Sequence, residues 1–262
     1  MLAGGQVTDT IRSSIIDVSA LAGQPELLVY GMLAALLAAG TWLLFASYKG
    51  WPVSTTHSII GAIIGFGVIA IGPQAIHWEQ CFTIAMSWVA TPFISGLLAY
   101  GIFVSIQALI LNSDKPLENA KRYIPVYVFF SAFIIALVTL KKGLKHLGLH
   151  LTTTDSVLYA VLFSALIMAG SAFLLRKLHS KKSVDPRFDF KNVEKAFGLL
   201  MIFTASTMAF AHGSNDVANA IGPIAAVVGI IQHGGDIMQK SALPIWILAL
   251  GGVGILMGLA TY

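Results

Sequence analysis

The chain has 262 residues, 56% of them hydrophobic and 11% charged, with a mean hydropathy of +0.81, whereas soluble domains carry about 25% charged residues. That composition excludes a soluble globular enzyme and describes a polytopic membrane protein, with room at roughly 20 residues per crossing for about eight or nine spans at most. Sixteen Lys+Arg against 12 Asp+Glu report sidedness in so apolar a chain rather than a nucleic-acid partner, and the single cysteine, Cys81, permits no internal disulfide and fits no metal-ligand spacing.

Residues 1–17 lack a basic stretch followed by an apolar core and do not read as a cleavable signal peptide. The first span is expected over Leu27–Tyr48, 22 uncharged residues that reach about 33 Å as a helix. Ser58–Ile76 follows Lys49-Gly50-Trp51-Pro52 and a hydroxyl cluster, and reads either as a full span or as a re-entrant element. Cys81–Ser113 is uncharged over 33 residues and contains Pro92, which suits one long, kinked or tilted helix preceded by an interfacial turn. Shorter spans are expected over Tyr123–Leu140 and Ser156–Leu175. Residues 176–195 hold Arg176, Lys177, Lys181, Lys182, Arg187, Lys191 and Lys195 and read as a cytoplasmic linker by the positive-inside rule. Lys141, Lys142 and Lys145 then fall on the opposite side and equal Lys115, Lys121 and Arg122 in number. Ala196–Asn215, Val217–Ile231 and Ser241–Tyr262 complete the apolar segments. The fold class is all-α, because a backbone in lipid must satisfy its own hydrogen bonds. Gly61–Gly65 and Gly254–Gly258 are small-xxx-small faces that predict tight helix packing.

Two polar clusters interrupt these segments. In Gly50-Trp51-Pro52-Val53-Ser54-Thr55-Thr56-His57, Pro52 disfavours helix at Trp51 and three hydroxyls stand where a helix begins. Ser54, Thr55 and Thr56, together with the free N–H groups of a helix start, suit a tetrahedral oxyanion such as phosphate or sulfate. The alternative is a helix start at the membrane interface, with His57 an interfacial residue. The second cluster, His212-Gly213-Ser214-Asn215-Asp216-Val217-Ala218-Asn219-Ala220-Ile221-Gly222-Pro223, is expected to break its helix. An acid at the bilayer centre costs about 2.5–3.5 kcal/mol on insertion scales, which makes Asp216 a functional candidate. Asn215, Asp216 and Asn219 can converge on helical turns to form an oxygen site for Na⁺, or Asp216 can carry a proton. The alternative is a polar packing patch or a protonated structural acid. Ser214 stands beside this trio, and His212 reads as an orienting or interfacial residue. Paired interruptions on either side of a linker point to a transporter site. An intramembrane hydrolase built on Ser54 and His57, or on His212, Ser214 and Asp216, is disfavoured by the spacing and by the lack of a G-x-S-x-G elbow.

Lys49-Gly50-Trp51-Pro52-Val53-Ser54-Thr55-Thr56-His57-Ser58-Ile59-Ile60-Gly61-Ala62 and Ala211-His212-Gly213-Ser214-Asn215-Asp216-Val217-Ala218-Asn219-Ala220-Ile221-Gly222-Pro223 resemble the two hallmark motifs of the PiT inorganic phosphate transporter family. Val7–Arg12 with Ile15-Ile16-Asp17 resembles the segment after an early membrane helix of that family. The resemblance implies a cation-coupled phosphate symporter, driven by Na⁺ or H⁺, with an inverted-repeat fold of broken or re-entrant helices. Each repeat of such a protein contributes one Asn-Asp-x-x-Asn signature and one Ser-Thr-Thr-His motif. This sequence holds one of each, so it resembles the middle of the family. The resemblance assigns residues 1–175 to the first repeat and 196–262 to the start of the second, and implies that this stretch alone does not transport. Ser54, Thr55 and Thr56 then correspond to part of the phosphate cage, and Asn215, Asp216 and Asn219 to part of the cation site. Ser214, His57 and His212 are secondary candidates. The expected partners are inorganic phosphate, Na⁺ or H⁺, the lipid of a plasma (inner) membrane and, as an alternative to a monomer, a second copy of the chain; no organic cofactor or bound metal is expected. The competing readings are a channel-like or other oxyanion permease and a non-transporting membrane scaffold.

Overall fold

The structure, a computed structural model, describes residues 15–21, 23–143, 151–177, 186–234 and 244–261. Every regular element among them is helical: α1 (Pro25–Lys49), α2 (Thr55–Ala70), α3 (Trp78–Ile106), α4 (Pro116–Val138), α5 (Thr153–Arg176), α6 (Pro186–Gln232) and α7 (Ile245–Thr261), with π-helical turns over Gln107–Leu111 and Thr139–Gly143. Among the described residues, five helical segments are long and apolar enough to cross a membrane, including Trp78–Leu111 and Lys191–Gln232. The protein is an integral, all-α membrane protein. Residues 7–12, Lys145, Lys181, Lys182 and 241–243, which carried expectations above, lie outside the described residues.

The chain divides into two compact units, one of residues 1–86 with 212–262 and one of residues 87–211. In the first, α1 opens with Pro25 at its N-terminus and Glu26 in its first turn, both suited to that end of a helix. It stops at Gly50, whose φ of 69° is left-handed; the Gly50 N–H donates to the Ser47 carbonyl at 3.0 Å and the Trp51 N–H to the Ala46 carbonyl at 2.9 Å. That glycine C-cap reverses the chain within a few residues. A second start follows at Ser54, and α2 runs back along α1. The antiparallel fit depends on Gly31, because a Cβ there would overlap the Phe66 ring of α2. Ile15, Ile16, Met32 and Ile63 are fully buried in the resulting core, and Ile16 pairs with Ile76 in an isolated bridge. At 16 residues, α2 reaches about 24 Å, short of a bilayer's hydrocarbon core of about 30 Å. It is therefore not a full perpendicular span.

In the second unit, α4 and α5 pack antiparallel. Ile110, Ala120, Ile124 and Val128 meet Leu175 and Ala196 at one end, while Ile135 and Leu140 face Tyr159 and Phe163 at the other. The Asn119 amide donates to the Leu109 carbonyl at 2.9 Å and closes the π turn after α3.

Three expectations are corrected. The 212–223 motif does not break its helix, for α6 is continuous through Gly213 and past Pro223. An interior glycine costs about 1 kcal/mol and an interior proline about 3 kcal/mol, whereas opening a helix in lipid strands several backbone groups at several kcal/mol each. The basic linker is also shorter than 176–195, because Pro186 already opens α6. Asn192, Val193 and Ala196 are buried, and that packed face extends the helix back through a charged stretch. Finally, Gly61, Gly65, Gly254 and Gly258 have no neighbour within 4 Å of an added Cβ among the described residues, so the small-xxx-small pairs are not packed against any of them. The close contacts fall instead on Gly31, Gly67 and Gly251.

Candidate functional site

The two polar motifs stand about 160 residues apart in sequence and meet in the first unit. The N-terminus of α2 supplies one side. Ser54 is its N-cap, extended at φ −87° and ψ 127°, and its Oγ accepts from the His57 N–H at 3.3 Å. The Ser58 hydroxyl donates back to the Ser54 carbonyl at 2.8 Å. These bonds hold the first turn so that Thr55 and Thr56 present their hydroxyls together. The positive end of the helix dipole lies at the same place.

The other side is one turn of α6. The Thr55 hydroxyl donates to Asp216 Oδ1 at 2.8 Å. Asn219 Nδ2 donates to Thr56 Oγ1 at 2.8 Å and to Thr55 Oγ1 at 3.2 Å, and Asn215 Nδ2 reaches Thr56 Oγ1 at 3.5 Å. The spacing of Asn215, Asp216 and Asn219 at i, i+1 and i+4 puts all three on the face that meets α2. His212, one turn before Asp216, places Nδ1 3.3 Å from Asp216 Oδ2, which fits an orienting residue. His57 is exposed and Ser214 is buried beside the trio.

Donor bookkeeping separates the hydroxyls. A carboxylate only accepts, so the single Thr55 proton is committed to Asp216 while its lone pairs take the Asn219 amide. Thr56 accepts from Asn215 and Asn219, and Ser54 accepts from the His57 N–H, so the protons of these two hydroxyls stay available to a ligand. Asn219 is 4% exposed, and its Oδ1 is buried without a hydrogen-bond partner among the described residues. A buried acceptor left unpaired costs about 1–3 kcal/mol and marks a place for a ligand that receives oxygen lone pairs. The arrangement thus joins an anion-accepting helix start to an oxygen-rich patch suited to a hard cation.

One supporting residue was not singled out from the sequence. Gly251 of α7 lies against Ile221 and Val217, and a Cβ there would come 2.5 Å from Ile221 Cγ2 and 3.2 Å from Val217 Cγ1. It allows α7 to seat the Asp216–Asn219 turn from behind. Within a helix that also carries Gly252, Gly254 and Gly258, nothing in the sequence distinguishes it.

Comparison with known proteins gives the family. A Haemophilus influenzae protein provisionally named a phosphate permease is 48% identical over 260 residues, covering 99% of this chain and 62% of the relative. The chloroplastic inorganic phosphate transporter 2-1 of Arabidopsis thaliana is 33% identical, covering 100% of this chain and 48% of its own length. A solved sodium-dependent phosphate transporter superposes with a TM-score of 0.87 at 36% identity, covering 98% of this chain and 62% of that one. The chain therefore spans about three fifths or less of the relatives it matches. The model of the phosphate transporter family matches residues 1–262, and with both motifs converging on one site, the chain belongs to that family.

Proposed function

We propose that this protein moves inorganic phosphate across a membrane together with Na⁺, and that the junction of α2 and α6 is where the two are coupled. The observation that carries the reading is the 2.8 Å bond from the Thr55 hydroxyl to Asp216. It brings a carboxylate to the same helix start that would receive phosphate. Two anions so close repel, by about 4 kcal/mol per pair of unit charges at 4 Å and an effective dielectric of 20. A cation between them reverses that sign, so phosphate binds well only after the cation. Na⁺ is favoured over H⁺ by the unpaired Asn219 Oδ1, which can coordinate a metal cation and gains nothing from a proton placed on Asp216. The sodium dependence named for the solved relative points the same way.

Within this site Ser54 and Thr56, with the N–H groups of the α2 start, hold phosphate. Asp216, Asn219 and Asn215 hold the cation. Thr55 joins the two. The basic end of the second unit, with Lys115, Lys121, Arg122, Arg176, Lys177, Lys191 and Lys195, faces the cytoplasm, and Lys141 at the far end of α4 faces outward. The membrane is the plasma membrane.

The test is equilibrium binding of radiolabelled phosphate to the purified protein in NaCl and in choline chloride. Binding is expected to require Na⁺ in the parent and to lose that requirement in Asp216→Asn. Equal binding in both salts by the parent would refute the coupling.

A further inference from the structure

We infer that the second unit carries a binding site for an anionic phospholipid on the first four turns of the Lys191–Gln232 span. A groove of about 770 Å³ lies there, lined by Lys191, Glu194, Lys195, Gly198, Met201 and Thr204 among others. Lys191, Lys195 and Gly198 follow at i, i+4 and i+7 and share one face. The opposite face carries the buried Asn192, Val193 and Ala196, so the helix is packed on one side and presents the groove on the other.

Three features identify the occupant. Both lysines are exposed, and neither makes an ion pair among the described residues. Below them, Gly198 has no neighbour within 4 Å of an added Cβ, so the helix surface is hollow at that level. Further down the lining is apolar: Met201 is 69% exposed, and the Thr204 hydroxyl is already spent on the Leu200 carbonyl at 3.0 Å. From Lys191 to Thr204 the helix rises about 20 Å, close to half of a bilayer of about 40–45 Å including headgroups. A site with two cations at its mouth, a hollow beneath them and an apolar floor one leaflet deep fits a lipid with a phosphate headgroup and an acyl chain. Free phosphate would use the mouth alone.

Lys191 and Lys195 bind the headgroup phosphodiester, Gly198 gives the glycerol region room, and Met201 with Leu200 contacts the chain. Glu194 stands at the same mouth and weakens the attraction. Each lysine near an anionic headgroup is worth about a fivefold preference, so the pair gives on the order of twentyfold over a zwitterionic lipid.

The experiment is native mass spectrometry of the purified full chain in detergent, titrated with dioleoyl phosphatidylglycerol, dioleoyl phosphatidylcholine or inorganic phosphate. Phosphatidylglycerol adducts are expected at roughly twentyfold lower lipid concentration than phosphatidylcholine adducts. Lys191→Gln with Lys195→Gln should bring the two lipids within about twofold, Glu194→Gln should tighten phosphatidylglycerol several-fold, and Gly198→Phe should weaken both lipids by filling the hollow. All four positions face open space, so the helical circular dichroism of each variant should match the parent. Equal adducts for the two lipids in the parent, no response to the lysine pair, or displacement of phosphatidylglycerol by millimolar inorganic phosphate would each overturn the assignment.

Discussion

Replacing Thr55 with valine removes one hydroxyl and nearly preserves side-chain shape, which makes it the sharpest probe of the α2–α6 junction. Two bonds are lost: the donation to Asp216 at 2.8 Å and the acceptance from Asn219 at 3.2 Å. The second is nearly free, because Asn219 Nδ2 keeps its 2.8 Å bond to Thr56. The first is a hydrogen bond to a charged group, worth about 1.5–3 kcal/mol, or roughly tenfold to a hundredfold in affinity. Among the described residues, Asp216 retains only the exposed His212 at 3.3 Å as a fixed partner. Since the lost partner belongs to the carboxylate, the damage should fall on the cation. In phosphate-uptake assays on liposomes holding a full-length protein that contains this stretch, Thr55→Val should raise the Na⁺ concentration for half-maximal uptake by that factor while leaving the phosphate KM at saturating Na⁺ within about threefold. Thr55→Ser, which keeps the hydroxyl, should behave like the parent. A Thr55→Val protein with a normal Na⁺ response and a phosphate KM raised tenfold or more would refute the division of labour and place Thr55 in the phosphate cage.

Thr56→Val should show the opposite pattern, a phosphate KM raised about tenfold with the Na⁺ response nearly intact, because Thr56 lends no proton to Asp216; equal effects on both constants would contradict this. Gly31→Leu should lower the thermal midpoint by several degrees in detergent, since the new side chain must displace the Phe66 ring, and Phe66→Ala in the same chain should restore part of the loss; a midpoint unchanged by Gly31→Leu would show that the helix pair is not packed this way. Gly251→Val should reduce Na⁺-dependent phosphate binding without touching any ligand, through Ile221 and Val217, and parent-like binding would remove Gly251 from the support of the site. In a Cys81→Ser background, Lys177→Cys should be labelled by an impermeant thiol reagent only after permeabilisation and Thr152→Cys in intact cells; the reverse pattern would invert the orientation.

Much of the architecture was legible because lipid makes uncharged length a direct signal. The expected Leu27–Tyr48 became Pro25–Lys49, and Ser156–Leu175 became Thr153–Arg176, with ends set by proline, a capping threonine and the next charge. The start of α2 was equally readable, since Ser54 before an apolar run is an N-cap in any context. The contact of Thr55 with Asp216 was not, because two segments about 160 residues apart carry no mutual signal in one sequence. The continuity of α6 was misjudged for a related reason. Glycine and proline are scored as breakers in water, and at 213 and 223 the bilayer penalises the break more than the residues penalise the helix. Glycine spacing also misled: the Gly61–Gly65 and Gly254–Gly258 pairs face open space, while the glycines that admit a neighbour, at 31, 67 and 251, belong to no motif.

If the chain carries phosphate as proposed, the length of α2 bears on how far the ion would travel. Its 16 residues fall about 6 Å short of the hydrocarbon thickness, so its two tips cannot both touch the headgroup layers unless the lipid thins locally. If the Ser54 tip is the one held below the surface, phosphate sheds its water inside the protein, against hydroxyls already in place. If the lipid thins instead, the dielectric barrier beside the site is narrower than elsewhere around the molecule. On the proposed reading, in both cases the low-dielectric distance that a doubly charged anion would cross next to α2 is less than a full membrane, and the displacement needed to expose it to the other face is correspondingly small.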